Sequence, residues 1–253
     1  MIRVNKARLC PICEKPDWCL VAVDLSAAIC ARIAEGAVKR VGDAGYLHIL
    51  IPGKMPDRTE YRRPKPRPVI DFTEQAHQAQ STITDEQVDR LAVSLGVTAK
   101  SLKRLSVGYD GQAYTFPMRD EKRRIIGVRR RFEDGRKLSV KGSTNALFIP
   151  KGLSENGRLV ICEGPTDCAA ALDLGFNAIG RPNCDSKIEM TARFAEGRKV
   201  TIVADNDTPG IKGARKLARK LIRHCPEVKI IVPPAGVKDL RQWKQQDLNI
   251  RMT

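Results

Sequence analysis

Three short apolar runs, Leu159–Cys162, Val200–Ala204 and Val228–Val232, read as strands, and helical patterns alternate with them. The first leads into a helix over Thr166–Leu174 that ends at Gly175, followed by a short strand at Ala178-Ile179. The second leads into a helix over Ile211–His224, and the third into a last helix from about Lys238. Strands alternating with helices predict a parallel sheet covered by helices. In the helix over 211–224, Ala214, Leu217, Ala218, Leu221 and Ile222 form an apolar stripe. Lys212, Arg215, Lys216, Arg219, Lys220 and Arg223 lie opposite and read as a solvated face.

The upstream pattern is different. Thr84 caps a helix that runs to about Leu95 and stops at Gly96, and a shorter helix spans Thr98 to Leu105. Ala113–Met118 and Ile125–Phe132 then form a hairpin around the charged turn Arg119–Arg124. Residues 1–50 read as short strands and turns. Prolines alternate with lysines and arginines after Pro52, which predicts a semi-extended cationic linker. The expected organisation is a cysteine-bearing β module at 1–50, a linker at 51–81, a basic α+β subdomain at 82–152 and an α/β domain at 153–253.

Composition sharpens this picture. The chain has 253 residues, 45 Lys and Arg against 29 Asp and Glu, and a formal net charge of +16. A balance so basic suits a polyanionic partner. There is no apolar run of membrane-spanning length and no signal-peptide pattern at Met1-Ile2-Arg3, so the expected location is cytoplasmic, with no membrane partner. Eight cysteines in a reducing compartment do not predict a disulfide framework. Cys162, Cys168 and Cys225 read as core or helix-end thiols, and Trp18 and Trp243 as packing anchors.

Against the basic background, an acidic spot stands out. Glu163-Gly164 closes the first strand of the α/β part, and Asp205-Asn206-Asp207 closes the strand at 200–204. Open α/β sheets build their sites at the carboxyl ends of their strands. Three carboxylates there repel one another unless a divalent cation sits among them, and hard oxygen ligands point to Mg²⁺ or Mn²⁺. The competing reading is mechanical: Asp205 and Asp207 cap the next helix, and Glu163 pairs with an arginine.

Four of the cysteines fall in the first thirty residues. Cys10-Pro11-Ile12-Cys13 forms a knuckle whose thiolates can share a cation. Cys19 and Cys30 are symmetric about a turn at Asp24-Leu25, which places them opposite each other across a hairpin. Four thiolates fit structural Zn²⁺, with no open coordination position. His48 is the alternative ligand in place of Cys19 or Cys30, and buried free thiols are the alternative to any metal.

The carboxylate pattern resembles the TOPRIM domain of bacterial-type primases, topoisomerases, OLD-type nucleases and RecR-like proteins. That family places a Glu-Gly pair after its first strand and an Asp-x-Asp after a later one. Thr166-Asp167, Gly180-Arg181-Pro182 and Lys238-Asp239-Leu240 further resemble the phage and plasmid primase branch. Phe116–Asp120, Gly127-Val128-Arg129, Lys137 and Ser143–Phe148 follow the order of landmarks in the basic half of a DnaG-type core. The resemblance implies an α/β fold, a TOPRIM-type parallel sheet flanked by helices, preceded by a small basic α+β subdomain and an N-terminal β zinc ribbon.

It also implies a DNA primase, a nucleotidyltransferase that makes short primers on single-stranded DNA from nucleoside triphosphates. Glu163, Asp205 and Asp207 would be its catalytic carboxylates, with Asp239 as a further metal contact and Glu163 alternatively an acid–base group. Arg129, Lys137, Lys141, Arg181 and Lys238 would bind nucleic acid or nucleotide. The zinc module would help select the template. The chain carries no G-x-x-x-x-G-K-[ST] loop, so a separate replicative helicase is the expected partner. A TOPRIM nuclease and a non-catalytic zinc/TOPRIM binding protein are the competing functions.

Overall fold

Along Leu159–Glu163, successive side chains enter two different cores. Val160 and Cys162 pack into one cluster, and Leu159 and Ile161 into another. This is the period-two signature of a strand covered on both faces. The computed structural model describes residues 1–53 and 70–246. The chain divides into two units, Met1–Arg67 and Pro68–Thr253.

The first unit is an antiparallel sheet of short strands: β1 (Ile2–Arg3), β2 (Leu20–Val21), β3 (Ala27–Cys30), β4 (Lys39–Arg40) and β5 (Tyr46–Ile49), in the order β1-β2-β3-β5-β4. Its buried cluster consists of Val4, Cys10, Cys19, Val21 and Cys30. So small a core does not hold a fold unaided and calls for a staple. Trp18 is 77% exposed, so it is not the packing anchor the sequence reading makes it. Its backbone lies in the left-handed region, next to buried Cys19.

The second unit opens with three helices, α1 (Thr73–Thr82), α2 (Asp85–Leu95) and α3 (Ala99–Arg104). Helix α1 occupies residues that the sequence reading leaves in the linker. Its buried residues are only Ala76 and Ala79, too small to register as an apolar stripe. The prolines from 56 to 68 lie outside the described residues. Helix α2 starts as expected, with Thr84 Oγ1 accepting from the Gln87 N–H at 3.2 Å and Gln87 reaching back to the Thr84 N–H at 2.9 Å. Gly96 ends it in the left-handed conformation.

An antiparallel sheet follows, β6 (Gly108–Tyr109), β7 (Tyr114–Arg119), β8 (Ile125–Arg131) and β9 (Lys137–Ser139), in sequential order. The expected hairpin is β7 and β8. Its turn is held by the Asp120 carboxylate, which accepts the N–H groups of Lys122 and Arg124.

The remaining elements are β10 (Leu159–Glu163), α4 (Gly164–Asp173), β11 (Ala178–Arg181), α5 (Ile188–Phe194), β12 (Lys199–Val203), α6 (Thr208–Leu221), β13 (Glu227–Ile231) and α7 (Leu240–Gln245). Strands β10 to β13 form a wholly parallel sheet in the order β11-β10-β12-β13. One core contains buried residues of α4 and Trp243 of α7, and the other contains Ala192 of α5 with Ala214, Leu217 and Leu221 of α6. Ile222 lies past the end of α6 and is exposed, so the apolar stripe is one residue shorter than its spacing suggests.

The two sheets of this unit are joined through Leu147 and Phe148. Leu147 exchanges backbone hydrogen bonds with Arg119, and Phe148 with Gly180 of β11. The core crosses the expected boundary at 152–153, since Phe116, Ile126 and Phe148 pack in one cluster with Val160 and Cys168. Basic and acidic parts are thereby fixed against each other.

Candidate functional site

Strand order builds the acidic end of the sheet. Ile161 of β10 lies beside Ile202 of β12 in parallel register. The chain therefore emerges at Glu163 from one strand and at Asp205 from its neighbour, on the same edge. After Glu163 the backbone turns into α4 through Gly164, whose φ of +80° disfavours a side chain. Gly180 approaches this turn so closely that a Cβ there would sit 2.3 Å from the Gly164 carbonyl oxygen.

A cleft of about 350 Å³ opens at this edge. Glu163, Asp167, Asp205 and Asp239 line it, facing Arg129, Arg131 and Lys137 of the antiparallel sheet, with Lys238 and Arg241 also at its wall. Arg129 and Arg131 share one side of β8 by strand alternation, whereas Arg130 turns away to pair with Asp110 at 2.7 Å. Asn206 anchors the loop that brings Lys238 and Asp239 in. Its side-chain amide donates to the Pro233, Pro234 and Val237 carbonyls.

Three residues read from the sequence as site groups are not among those lining the cleft. Asp207 is exposed and caps α6, with Oδ1 accepting from the Gly210 N–H at 2.7 Å. This is the capping role that the sequence leaves open. Lys141 is exposed and does not line the cleft. Arg181 is 4% exposed, and its guanidinium donates to the Cys184 and Ser186 carbonyls. Conversely, Asp167, Arg131 and Arg241 line the cleft but are not among the site residues read from the sequence. The available signals are the one-turn spacing of Asp167 from Glu163, the alternation of Arg131 with Arg129, and the position of Arg241 two residues after Asp239.

Crowding of like charge marks the site. The Asp205 carboxyl is pushed up to about 7 by burial, with Glu163, Asp239 and Asp207 adding repulsion. Asp167 is pushed up to about 7, again by burial first and then by Asp239, against the opposing Arg241 N–H. Burial also raises Glu163, while the nearby Arg181 charge pulls it back down. A cation among these oxygens would lower the free energy of the charged forms. The donors are all hard oxygens, which suits an ion such as Mg²⁺.

In the first unit the ligand atoms of Cys10, Cys13, Cys19 and Cys30 all lie within 4.8 Å of one another, the one such set among the described residues. The Cys13 and Cys19 sulfurs are 3.6 Å apart. Tetrahedral Zn²⁺ with bonds of about 2.3 Å needs an edge of roughly 3.8 Å, so the cluster fits that ion. The hairpin pairing Leu20↔Ile29 carries Cys19 and Cys30 to opposite positions, as their symmetry predicts. The Ala31 N–H donates to the Cys19 sulfur and the Ile33 N–H to that of Cys30. His48 lies outside the cluster, with Nε2 3.0 Å from the Ile33 carbonyl oxygen.

Residues 160–243 match the Toprim-like family. The Gene 57 protein of Mycobacterium phage D29 is 31% identical over 111 residues, 42% of this chain and 70% of that protein. The primase fragment of the bacteriophage T7 primase-helicase protein shares 17% identity with a TM-score of 0.50, covering 98% of this chain and 95% of its own. The E. coli primase catalytic core shares 16% identity with a TM-score of 0.53, over 68% of this chain and 74% of that one. The likeness to these two structures is one of fold. With its acidic sheet edge and its relative in phage D29, the chain belongs to one family with that phage's Gene 57 protein and carries a Toprim-like domain over residues 160–243, on a fold like that of the two primase structures.

Proposed function

We propose that this chain is a DNA primase-type nucleotidyltransferase that joins nucleoside triphosphates on a single-stranded DNA template. The observation that carries the reading is the single cleft in which Glu163, Asp167, Asp205 and Asp239 face Arg129, Arg131 and Lys137. A site for phosphoryl transfer needs acidic groups for a divalent ion and cationic groups for phosphates. A DnaG catalytic domain of the same fold has been seen bound to single-stranded DNA, which supports the choice of template.

Glu163, Asp205 and Asp239 would hold Mg²⁺ or Mn²⁺. The bound ion supplies charge neutralisation at the triphosphate and a lowered pKa at the attacking 3′-hydroxyl. The protein's own groups do the rest. Arg129, Arg131 and Lys137 draw phosphates into the cleft, and Lys238 stands at the acidic wall. In the alternative role Glu163, raised by burial, accepts the hydroxyl proton instead of holding the ion. Asp207 acts one step removed, by capping α6. Cys10, Cys13, Cys19 and Cys30 would hold structural Zn²⁺ in a module that contacts the template. The T7 relative is a primase-helicase protein, and a replicative helicase is the corresponding partner for this chain.

The test is de novo synthesis on single-stranded DNA with labelled nucleoside triphosphates and Mg²⁺, comparing wild type with Glu163→Gln and Asp205→Asn. Product from the wild type alone supports the reading. Template degradation would indicate a nuclease, and tight binding without product a non-catalytic binding protein.

A further inference from the structure

We propose that Arg181 is a positioning residue of the acidic cleft, mooring the turn after β11 so that the turn orients Glu163 toward a divalent cation. This rests on the reading of Glu163 as a ligand for that ion.

Arg181 lies beside Glu163 in the parallel pairing of β10 and β11. It is buried, yet among the described residues it makes no salt bridge, although the Glu163 charge is near enough to be felt. Its Nη2 instead donates to two carbonyls of one turn, Cys184 and Ser186, each at 2.9 Å. A buried guanidinium that spends its hydrogen bonds on neutral carbonyls is costly and needs a compensating use.

The turn it grips has a defined shape and one functional neighbour. Asn183 Oδ1 accepts the N–H groups of Asp185 and Ser186 at 3.1 and 2.8 Å. Glu163, Arg181 and Cys184 line one small recess, so the turn lies beside the Glu163 side chain. Helix α6 closes the turn from the other side at Gly213, where a Cβ would lie 2.5 Å from the Cys184 carbonyl oxygen. The turn is thus clamped between Arg181 and Gly213 beside Glu163. Removing either clamp lets the turn shift and leaves the neighbouring carboxylate free to rotate out of the cleft.

The experiment is Mn²⁺ titration of the full chain, read by electron paramagnetic resonance, well below each variant's unfolding midpoint. Arg181→Met is expected to weaken Mn²⁺ binding at least tenfold. Arg181→Lys is expected to weaken it comparably, because an ammonium cannot span both carbonyls in the fixed fork of a guanidinium. Gly213→Ala, which leaves Arg181 in place and displaces the turn from the helix side, should weaken it as well. Glu163→Gln is the control for the reading beneath.

If Glu163→Gln weakens binding while folded Arg181→Met binds within twofold of wild type, the mooring role is overturned and the carboxylate site stands. Full recovery in Arg181→Lys assigns the effect to charge alone and also overturns it. Should Arg181→Met not fold, Gly213→Ala decides: wild-type affinity there rejects the proposal. Unchanged binding in Glu163→Gln removes the carboxylate reading and this inference together.

Discussion

Asn206, between the two aspartates of the acidic turn, donates its backbone N–H to the Lys238 carbonyl at 2.7 Å. With the three side-chain bonds to the 233–237 carbonyls, this ties the end of β12 to the loop that presents Asp239. Asn206→Ala removes the side-chain bonds and leaves partly buried carbonyls without them. A net loss of about 2 kcal/mol is expected at typical values for such bonds. Urea denaturation measures it, and an unchanged midpoint would show that the loop holds its place by other means.

The raised carboxyls make stability depend on pH in a definite direction. Asp167 and Asp205 sit at about 7 in the folded chain, against about 4 when unfolded. The folded state therefore holds more protons across that window, and stability falls as pH rises from about 4 to 7. Asp167→Asn keeps an acceptor for the Arg241 N–H and removes the charge. At pH 8 without added divalent ion it should stabilise the protein, by an amount of the order of 4 kcal/mol from the size of the Asp167 shift. Thermal melts at pH 5.5 and 8 test this. Added Mg²⁺ should raise the wild-type midpoint at pH 8 and do little at pH 5.5.

Zinc content tests the thiol cluster directly. Ser in place of Cys10, Cys13, Cys19 or Cys30 should lower bound zinc from one equivalent, as measured by plasma mass spectrometry. His48→Ala should retain the full equivalent, since its ring faces the Ile33 carbonyl. Undiminished metal in Cys10→Ser would remove that residue from the site.

The cationic wall of the cleft separates two residues that look alike in the sequence. Arg131 lines the cleft and Lys141 does not. Arg131→Ala should weaken single-stranded DNA binding about tenfold and reduce the salt slope by roughly 0.7, the loss of one phosphate contact. Lys141→Ala should change affinity less than twofold. Fluorescence anisotropy across a salt series distinguishes them, and equal losses would argue that DNA runs outside the cleft.

Gly180 is a steric test of how the sheet meets its first helix. A methyl group there collides with the Gly164 carbonyl oxygen, backbone that cannot swing aside. Gly180→Ala should cost about 3 kcal/mol or more, the upper range for overpacking. A variant of wild-type stability would mean that the Glu163 turn is less rigidly held than the close approach implies.

The parallel sheet, the hairpin β7–β8, the capped helix α2 and the Cys19–Cys30 pairing are all legible in the chain, because each follows from local periodicity, a capping residue or symmetry about a turn. Helix α1 is not legible, since it buries only alanines, and α5 is too short for its pattern to declare itself. Trp18 reads as a core residue because its size suggests burial, but the tiny core of the first unit leaves it outside.

The division is sharper at the cleft. Residue type and position after a strand locate Glu163 and Asp205, since strand ends in a parallel sheet share an edge whatever the details. Direction of a side chain is a different matter. Asp207 spends its carboxylate on a helix cap, Arg181 spends its guanidinium on a turn, and Asp167 reaches the cleft from inside a helix. Those assignments depend on contacts between segments dozens of residues apart. Local pattern specifies which groups arrive at the sheet edge, and long-range packing through Phe148 and Asn206 selects which of them face one another.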